Sequence, residues 1–415
     1  MAGATIYHRA AQSILLVGLK SNLGSTWEAF FLEKLPYYEL HYSYDTFKKS
    51  KHRWRVLLLN YEALDRNLVT RMRKFEWDLI VYDECQRLKS RSSQSSRFAR
   101  SMATGRAKAR LGLSGTPMDD SPIDLWAIFR FLKPDLFGLR WSDFRDQWTR
   151  PSGYMGKTPL FREHLHGRFS KRIRPYVFRA VLEDLGIERA KIVWRKIDLE
   201  PQQERAYRKL EANSVLKLGR SKVTTPLAIT NITKLQQITG GWVYDDEDRV
   251  VHVGNAKRRD LRKWLLDKEG PVVIFCKFTP DVDICVEEAR RQFDRVAVLT
   301  GKVKDKGKNR ARTQLLLDFQ RGKYDVIVCQ QKTGGAGVDL FIARHAYVYS
   351  CGHSYIDFDQ MSARLTFLKQ SGAARFEVPY AAGTVDGDIR VAVRSKRSVT
   401  EVVWERLRRR NKPHG

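Results

Sequence analysis

LIVYDE, Leu79–Glu84, is an unbroken apolar run that closes on two adjacent carboxylates. Continuous Leu/Ile/Val sequence without polar alternation is what a strand buried on both faces of a parallel sheet requires. In open α/β sheets ligands bind at the carboxyl ends of the strands, so Asp83 and Glu84 fall where chemistry is done. Such a pair can hold Mg²⁺, directly or through water, while one carboxylate orients and deprotonates an attacking water. Taken alone, the run fits a solvated strand end better than a catalytic one. Thirty residues on, LGLSGT (Leu111–Thr116) places Ser114, Gly115 and Thr116 at a second strand end. Hydroxyls there can sense a phosphate site, and an ordinary S-G-T-P turn is the other reading.

Working outward, ILLVGL (Ile14–Leu19) and VLLLNY (Val56–Tyr61) complete a first set of buried strands. VVIFCKF (Val272–Phe278), VAVLTG (Val296–Gly301), VIVCQQ (Val326–Gln331) and AYVYSC (Ala346–Cys351) form a second. Strands alternating with helical sequence imply βαβ units and doubly wound sheets, and two sets imply two α/β lobes. Between them, Asp124 to about Arg262 is charged and rich in Trp, Phe and Leu; DLWAIFRFLKPDLFG and PQQERAYRKLEANSVLKLG have amphipathic spacing. The C-terminal VTEVVWERLRRRNKPHG reads as a closing basic helix.

Lys and Arg total 76 against 47 acids, a net charge of +29 spread along the whole chain, with dense stretches at Arg162–Arg179, Lys302–Arg312 and Arg394–Lys412. Spread positive charge suits a groove that tracks a phosphate backbone. No apolar run approaches the roughly 20 residues of a membrane span. Cys85, Cys276, Cys285, Cys329 and Cys351 show no C-x-x-C spacing, and the nine histidines show no ligand spacing. Buried single thiols point to a reducing compartment.

At this point the chain resembles a Swi/Snf-type member of the superfamily-two helicases. Asp83-Glu84-Cys85-Gln86 is similar to that family's D-E-x-H box, and Leu111–Gly138 to its S/T-G-T-P segment with the L-W-x-x-x-x-F-L-x-P-x-x-F-G run that follows. KSNLGSTWEAF (Lys20–Phe30), LLLNYEAL (Leu57–Leu64), RIRPYVFRAVLEDL (Arg172–Leu185), LEPQQERAYRKL (Leu199–Leu210), VVIFCKFTPDVD, FQRGKYDVIVCQQKTGGAGVDL (Phe319–Leu340) and YIDFDQMSARLTFLKQ (Tyr355–Gln370) resemble further motifs in the family's order. The resemblance runs from about Ser13 to Lys396. It implies two RecA-like doubly wound parallel-sheet lobes with a helical insertion and linker between them. It also implies ATP and Mg²⁺ as cofactors and double-stranded DNA as partner. Asp83 and Glu84 become the catalytic and metal-holding pair. Gln86, Ser114, Gly115, Thr116, Gly335, Gly337, Asp339, Gln360 and Arg364 are expected at the nucleotide or coupling to it. Lys20, Ser21, Trp27, Asn60, Tyr61, Lys277, Phe278, Lys332 and Thr333 are expected to face nucleic acid.

Three departures stand against the resemblance. The 415 residues contain no G-x-x-x-x-G-K-[S/T], the Walker A loop that cradles phosphates. Met155-Gly156-Lys157-Thr158 is a decoy: Pro151 stands where the first glycine belongs and Pro159 follows at once. In the family that loop lies one helix upstream of the ILLVGL strand, so residues 2–12 read as the remnant of the helix it opens. Phe367 stands where a second arginine is expected, three residues after Arg364, and Lys369 replaces a glycine. An arginine at such a position is worth about 10³–10⁵ in rate.

The expected organisation is a first lobe at 1–123, a helical insertion and linker at 124–255, a second lobe at 256–395 and a basic helix at 396–415. The expected function is an ATP-driven double-stranded-DNA translocase, with this chain impaired in hydrolysis on its own. A separate chain supplying the Walker A segment is one way to complete it. A non-catalytic DNA-binding or scaffold protein descended from such a motor is the alternative. A nuclease finds no compact carboxylate–lysine group to support it. The compact second lobe resembles short forms from bacteria and their viruses, which implies a bacterial or phage-infected host cytoplasm.

Overall fold

The structure is a computed structural model that describes residues 11–103, 107–115, 118, 121–152, 158–179, 184, 186–213, 215–218, 221–224, 228–303, 311–331, 340–352, 355–365 and 372–395. The chain divides into two compact units, Met1–Arg179 and Ala180–Gly415.

The first unit is built on five parallel strands: β1 (Ser13–Gly18), β2 (Glu39–His41), β3 (Arg55–Asn60), β4 (Trp77–Asp83) and β5 (Ala107–Leu113). Their order across the sheet is β2-β3-β1-β4-β5. Successive side chains of a strand leave on opposite faces, and here both faces are covered. Leu15, Val17, Leu57, Leu59, Ile80 and Tyr82 enter one apolar core, and Ile14, Leu16, Val56, Leu58, Leu79 and Val81 enter the other. That is why these strands are continuously apolar. β5 differs: it pairs only with β4 among the described strands, and its residues are only half-buried or exposed. It also begins four residues earlier than LGLSGT suggests, so Ser114 and Gly115 lie just past its end.

After β5 the chain forms helices at Asp124–Leu132, Trp141–Trp148 and His166–Ile173 and an antiparallel pair, β6 (Thr149–Ser152) with β7 (Thr158–Phe161). Phe137, Phe144, Trp148, Phe161 and Phe169 stack and cross edge-on within this part of the core.

The second unit opens with β8 (Lys191–Ile197), the helix Pro201–Asn213, the antiparallel pair β9 (Val215–Leu218) and β10 (Ser221–Thr224), the helix Ala228–Gly240, and the antiparallel pair β11 (Trp242–Tyr244) and β12 (Val250–His252). β13 (Val272–Cys276), β14 (Val296–Leu299), β15 (Val326–Gln330), β16 (His345–Val348) and β17 (Arg375–Ala381) follow. The main sheet is parallel throughout, in the order β14-β15-β13-β16-β17-β8. Alternate residues again serve two cores: Val273, Phe275, Ile327 and Val348 on one face, Ile274, Val328, Tyr347 and Tyr349 on the other.

The stretch 124–255, expected as helical, therefore carries strands β6 to β12 as well. β8 lies seven residues deep along β17, with Lys191 opposite Arg375 and Ile197 opposite Ala381. Its charged, β-branched sequence KIVWRKI suits an edge strand, with exposed lysines and the half-buried Val193, Trp194 and Ile197. No helix among the described residues is long and apolar enough to cross a membrane.

Candidate active site

β4 ends at Asp83, one strand away from the end of β1 at Gly18. Past β1 the chain forms a short helical turn, Lys20–Asn22, that runs into a π-helix, Leu23–Glu28. A π-helix is rare and widens the turn by one residue. Two side chains of this segment reach the same carboxylate oxygen. Asn22 Nδ2 and Trp27 Nε1 each donate to Asp83 Oδ2 at 3.1 Å. The other oxygen, Oδ1, accepts the backbone N–H of Glu84 at 3.0 Å. Trp27 is 8% exposed, wedged edge-on against Phe30.

Glu84 has φ 54° and ψ 49°, the left-handed conformation. Only two described non-glycine residues have positive φ, and it is one of them. Holding a Cβ-bearing residue there costs energy that the surroundings must supply. Tyr61 contributes by donating its hydroxyl to the carbonyl of Asp83 at 2.7 Å and toward that of Glu84 at 3.3 Å. Burial pushes the Tyr61 phenol well above its usual range, so it stays a donor. Gln86 Nε2 donates to Glu84 Oε2, and its Oε1 is buried without a partner in the structure. Burial pushes the Cys85 thiol up to about 12, which leaves it a packing group and no nucleophile. Gly112 on β5 packs closely here: a Cβ there would lie 3.0 Å from Cys85 Sγ, so the thiol would have to shift by a few tenths of an ångström.

A carboxylate offers about four acceptor positions. Three of those on Asp83 are used, so one is left for a metal-bound water. Mg²⁺ is commonly held this sparingly, by one or two carboxylates with its remaining positions on water and substrate phosphate. The residues fit that group, and among the described residues no set of three His, Cys, Asp or Glu forms a cage for a metal. Leu113 pairs with Asp83 across the β4–β5 ladder, so Ser114 and Gly115 follow directly at the neighbouring strand end.

Of the residues expected to face nucleic acid, Trp27 and Tyr61 are instead buried, at 8% and 5% exposure, with their polar atoms on Asp83 and Glu84. Asn60 accepts the N–H of Ala63 at 3.0 Å and caps the turn after β3. Lys20 is exposed at the head of the segment that carries Asn22. Thr116, Lys332, Thr333, Gly335, Gly337, Asp339, Phe367 and Lys369, and the side chains of Ser21 and Gln360, lie outside the described residues.

The second unit gathers polar groups at the carboxyl ends of β13, β15 and β16. Lys277 follows β13; its Nζ donates to Gln236 Oε1 at 2.7 Å and its N–H to Ser350 Oγ at 2.8 Å. Its ammonium also lies 4.7 Å from the centre of the Phe278 ring. Ser350 in turn donates to Asp281, which also accepts Trp242 Nε1 at 2.6 Å. Burial raises the Asp281 carboxyl above its ordinary value against these two donors. Gln331, just past β15, accepts the N–H of Gly352 at 2.6 Å, while its Nε2 is a buried donor without a partner in the structure. Arg364 is half-buried, with its carbonyl accepting Leu340 N–H at 3.0 Å. Lys257 and Asp386, 2% and 5% exposed, form an ion pair at 2.9 Å, and Thr239 donates to the same aspartate.

Asn22, Gln236, Gln331 and Ser350 are the functional candidates that motif reading missed. Asn22 had one signal, its place between Lys20 and Trp27 one turn past a strand. Gln236 and Ser350 had none, because their partners are 41 and 73 residues distant.

Residues 9–239 match the model of the SNF2-related domain, and residues 256–366 that of the helicase conserved C-terminal domain. An ATP-dependent helicase of Mycoplasma genitalium is 21% identical over 81% of this chain and 32% of its own length. An ISWI chromatin-remodeling complex ATPase of Arabidopsis thaliana is 29% identical over 68% of this chain and 26% of its own. Helicase ssl-1 of Caenorhabditis elegans matches 32% of the chain at 29% identity, 5% of its own length. The chain thus spans at most about a third of these relatives. The SWI2/SNF2 ATPase core of Sulfolobus solfataricus, solved in complex with double-stranded DNA, is 21% identical, with 95% of this chain and 82% of that one covered and a TM-score of 0.39.

Proposed function

Because this chain belongs to the SNF2-related family of helicase-like ATPases, we propose that it forms the greater part of an ATP-driven double-stranded-DNA translocase and hydrolyses ATP poorly by itself. The observation that carries this reading is the Asp83–Glu84 pair, with one carboxylate oriented by Asn22 and Trp27 and the other borne on a left-handed backbone. In this reading Glu84 orients the attacking water and takes its proton, and Gln86 holds the Glu84 carboxylate in place. Asp83 would hold Mg²⁺ through water, and the bound ion would supply charge neutralisation on the phosphates. Ser114, Gly115 and Thr116 sense the phosphate, and Gly335, Gly337, Asp339, Gln360 and Arg364 serve the nucleotide or couple to it. Lys20, Ser21, Asn60, Lys277, Phe278, Lys332 and Thr333 meet the DNA backbone.

Impaired hydrolysis follows from two features of the 415 residues: no G-x-x-x-x-G-K-[S/T], and Phe367 in place of an arginine. A phosphate loop is a strand–loop–helix unit, and the first sheet has two outer edges. A strand beyond β5 would lie two strand spacings from β4, about 10 Å, and one beyond β2 would lie four, about 19 Å. Only the β5 edge brings such a loop to Asp83, and β5 has no second partner among the described strands. We assign that edge to a Walker A segment from outside these residues.

The test is ATP hydrolysis by the chain with and without duplex DNA, beside Glu84→Gln. No DNA-stimulated rate above that control is expected; a clear one would overturn the impaired reading. Phe367 also favours a second reading, a non-catalytic DNA-binding or scaffold protein. That reading gains if a peptide carrying the strand, loop and helix leaves hydrolysis at the control level while DNA binding persists.

A further inference from the structure

Between Glu163 and Glu183 the sequence has no acid and five fixed cations: Arg168, Lys171, Arg172, Arg174 and Arg179. Three of them lie on one helix, His166–Ile173. At 100° per residue, Arg168, Lys171 and Arg172 fall within about 100° of arc. Phe169 on the inner face is fully buried in the aromatic core.

The cations on the outer face are not loose. The Arg168 guanidinium lies 5.8 Å from the centre of the Trp148 ring, and that of Arg172 lies 5.9 Å from the centre of the Phe137 ring. Those rings are fixed by their own packing, with Phe137 stacked on Phe169 at 4.7 Å. Each arginine stem is thereby laid along an aromatic wall with its charge at the surface. All three side chains are exposed. No ion pair among the described residues involves them, whereas the exposed Arg71, Arg87, Arg140 and Arg145 of this unit are each matched to an acid.

We propose that this helix face is a docking surface for the phosphate backbone of double-stranded DNA, separate from the strand ends of the candidate active site. Arg168 and Arg172 are one turn apart, about 6 Å along the axis, and duplex DNA presents one charge per about 1.7 Å of its own axis. Planar guanidinium groups match phosphate oxygens in pairs. Rings that already hold two of the cations reduce the ordering cost of binding. The proposal rests on the DNA-binding reading above and adds residues that are not among those expected to face nucleic acid.

The test is the salt dependence of duplex binding by the full chain, followed from 50 to 200 mM salt. Three variants are compared with the parent: Arg168→Gln/Lys171→Gln/Arg172→Gln, the charge-keeping Arg168→Lys/Arg172→Lys, and an equal-charge control on the exposed Lys48, Lys49 and Lys51, each to Gln. Three lost phosphate contacts reduce the slope of log Kobs against log salt by about 2.7. The expected result is that reduction in the helix triple alone, with the lysine pair close to the parent. An unchanged slope in the helix triple, or an equal loss in the control triple, overturns the proposal. A parent without salt-dependent binding overturns the DNA-binding reading and this surface with it. Polyglutamate is the second probe; if the helix triple loses it and keeps the duplex slope, the face recognises an acidic protein and the proposal fails.

Discussion

Glu84 is the residue at which backbone strain can be weighed directly. Its φ of 54° and ψ of 49° place a Cβ-bearing residue in the left-handed region, which costs roughly 1–2 kcal/mol. Glycine adopts that region freely but gives back about 0.5–1 kcal/mol through the greater freedom of its unfolded chain. Glu84→Ala and Glu84→Gly remove the same charge, the same carboxylate and the same hydrogen bond from Gln86. Their difference isolates the Cβ, and the glycine variant comes out more stable by about 0.5–1 kcal/mol. Equilibrium urea unfolding of the full chain measures it. Glu204, exposed within the Pro201–Asn213 helix, is the internal reference. There the order reverses, and alanine exceeds glycine by about 1 kcal/mol. If alanine at 84 proves equal to or more stable than glycine, the left-handed backbone is not a source of strain and the reasoning fails. If the expected order holds, the fold spends stability to aim the carboxylate that the proposed chemistry uses.

Two other sites yield predictions of definite sign. Lys257→Met leaves the Asp386 carboxylate buried without its cation and costs about 3–5 kcal/mol, whereas Lys257→Met/Asp386→Leu recovers most of it; a double-mutant cycle by denaturant melts tests this, and strict additivity would refute it. Asp78 is the second. Burial works to raise its pKa, but the Lys108 ammonium and the N–H groups of Ser13 and Gln12 outweigh burial and hold it below 3.8. A lowered carboxylate pKa contributes stability in full above the ordinary value, and that stability is lost as pH falls through the lowered one. Asp78→Asn therefore flattens the acid limb of a stability–pH curve below about pH 4, and a curve that keeps the parent's slope there would count against it.

The central strands were legible because a sheet covered on both faces leaves a signal that local composition carries whole: every residue from Leu79 to Tyr82 is buried. The carboxyl-end position of Asp83 and Glu84 followed from the same signal. What holds them did not. The resemblance implies that Trp27 faces nucleic acid, yet an indole is amphipathic and its N–H can serve a buried carboxylate as well as a base. Tyr61 likewise read as an exposed strand end, whereas its ring fills the first core and its hydroxyl secures the turn at Asp83. β8 escaped because an edge strand mixes charge with apolar residues, so KIVWRKI has the texture of a linker until β17 is beside it. The left-handed backbone of Glu84 has no sequence signal, since glutamate is not a residue that favours it.

β5 has a consequence for how the chain behaves in a crowded solution. Among the described strands it pairs only with β4, and a parallel strand with an open ladder edge is a template for an extended chain, an aggregation hazard as well as a docking place. Lys108 and Arg110 stand at alternate positions along it, whereas the interior strands β1 and β4 contain no lysine or arginine. Lys108 is tied to Asp78 at 2.7 Å, and Arg110 to the carbonyl of Ala103 at 2.7 Å. Two anchored cations make it costly to pair an indiscriminate apolar strand against this edge, because their charges would lose water. In the proposed arrangement the same two side chains that discourage self-association along β5 would border the strand that pairs with it.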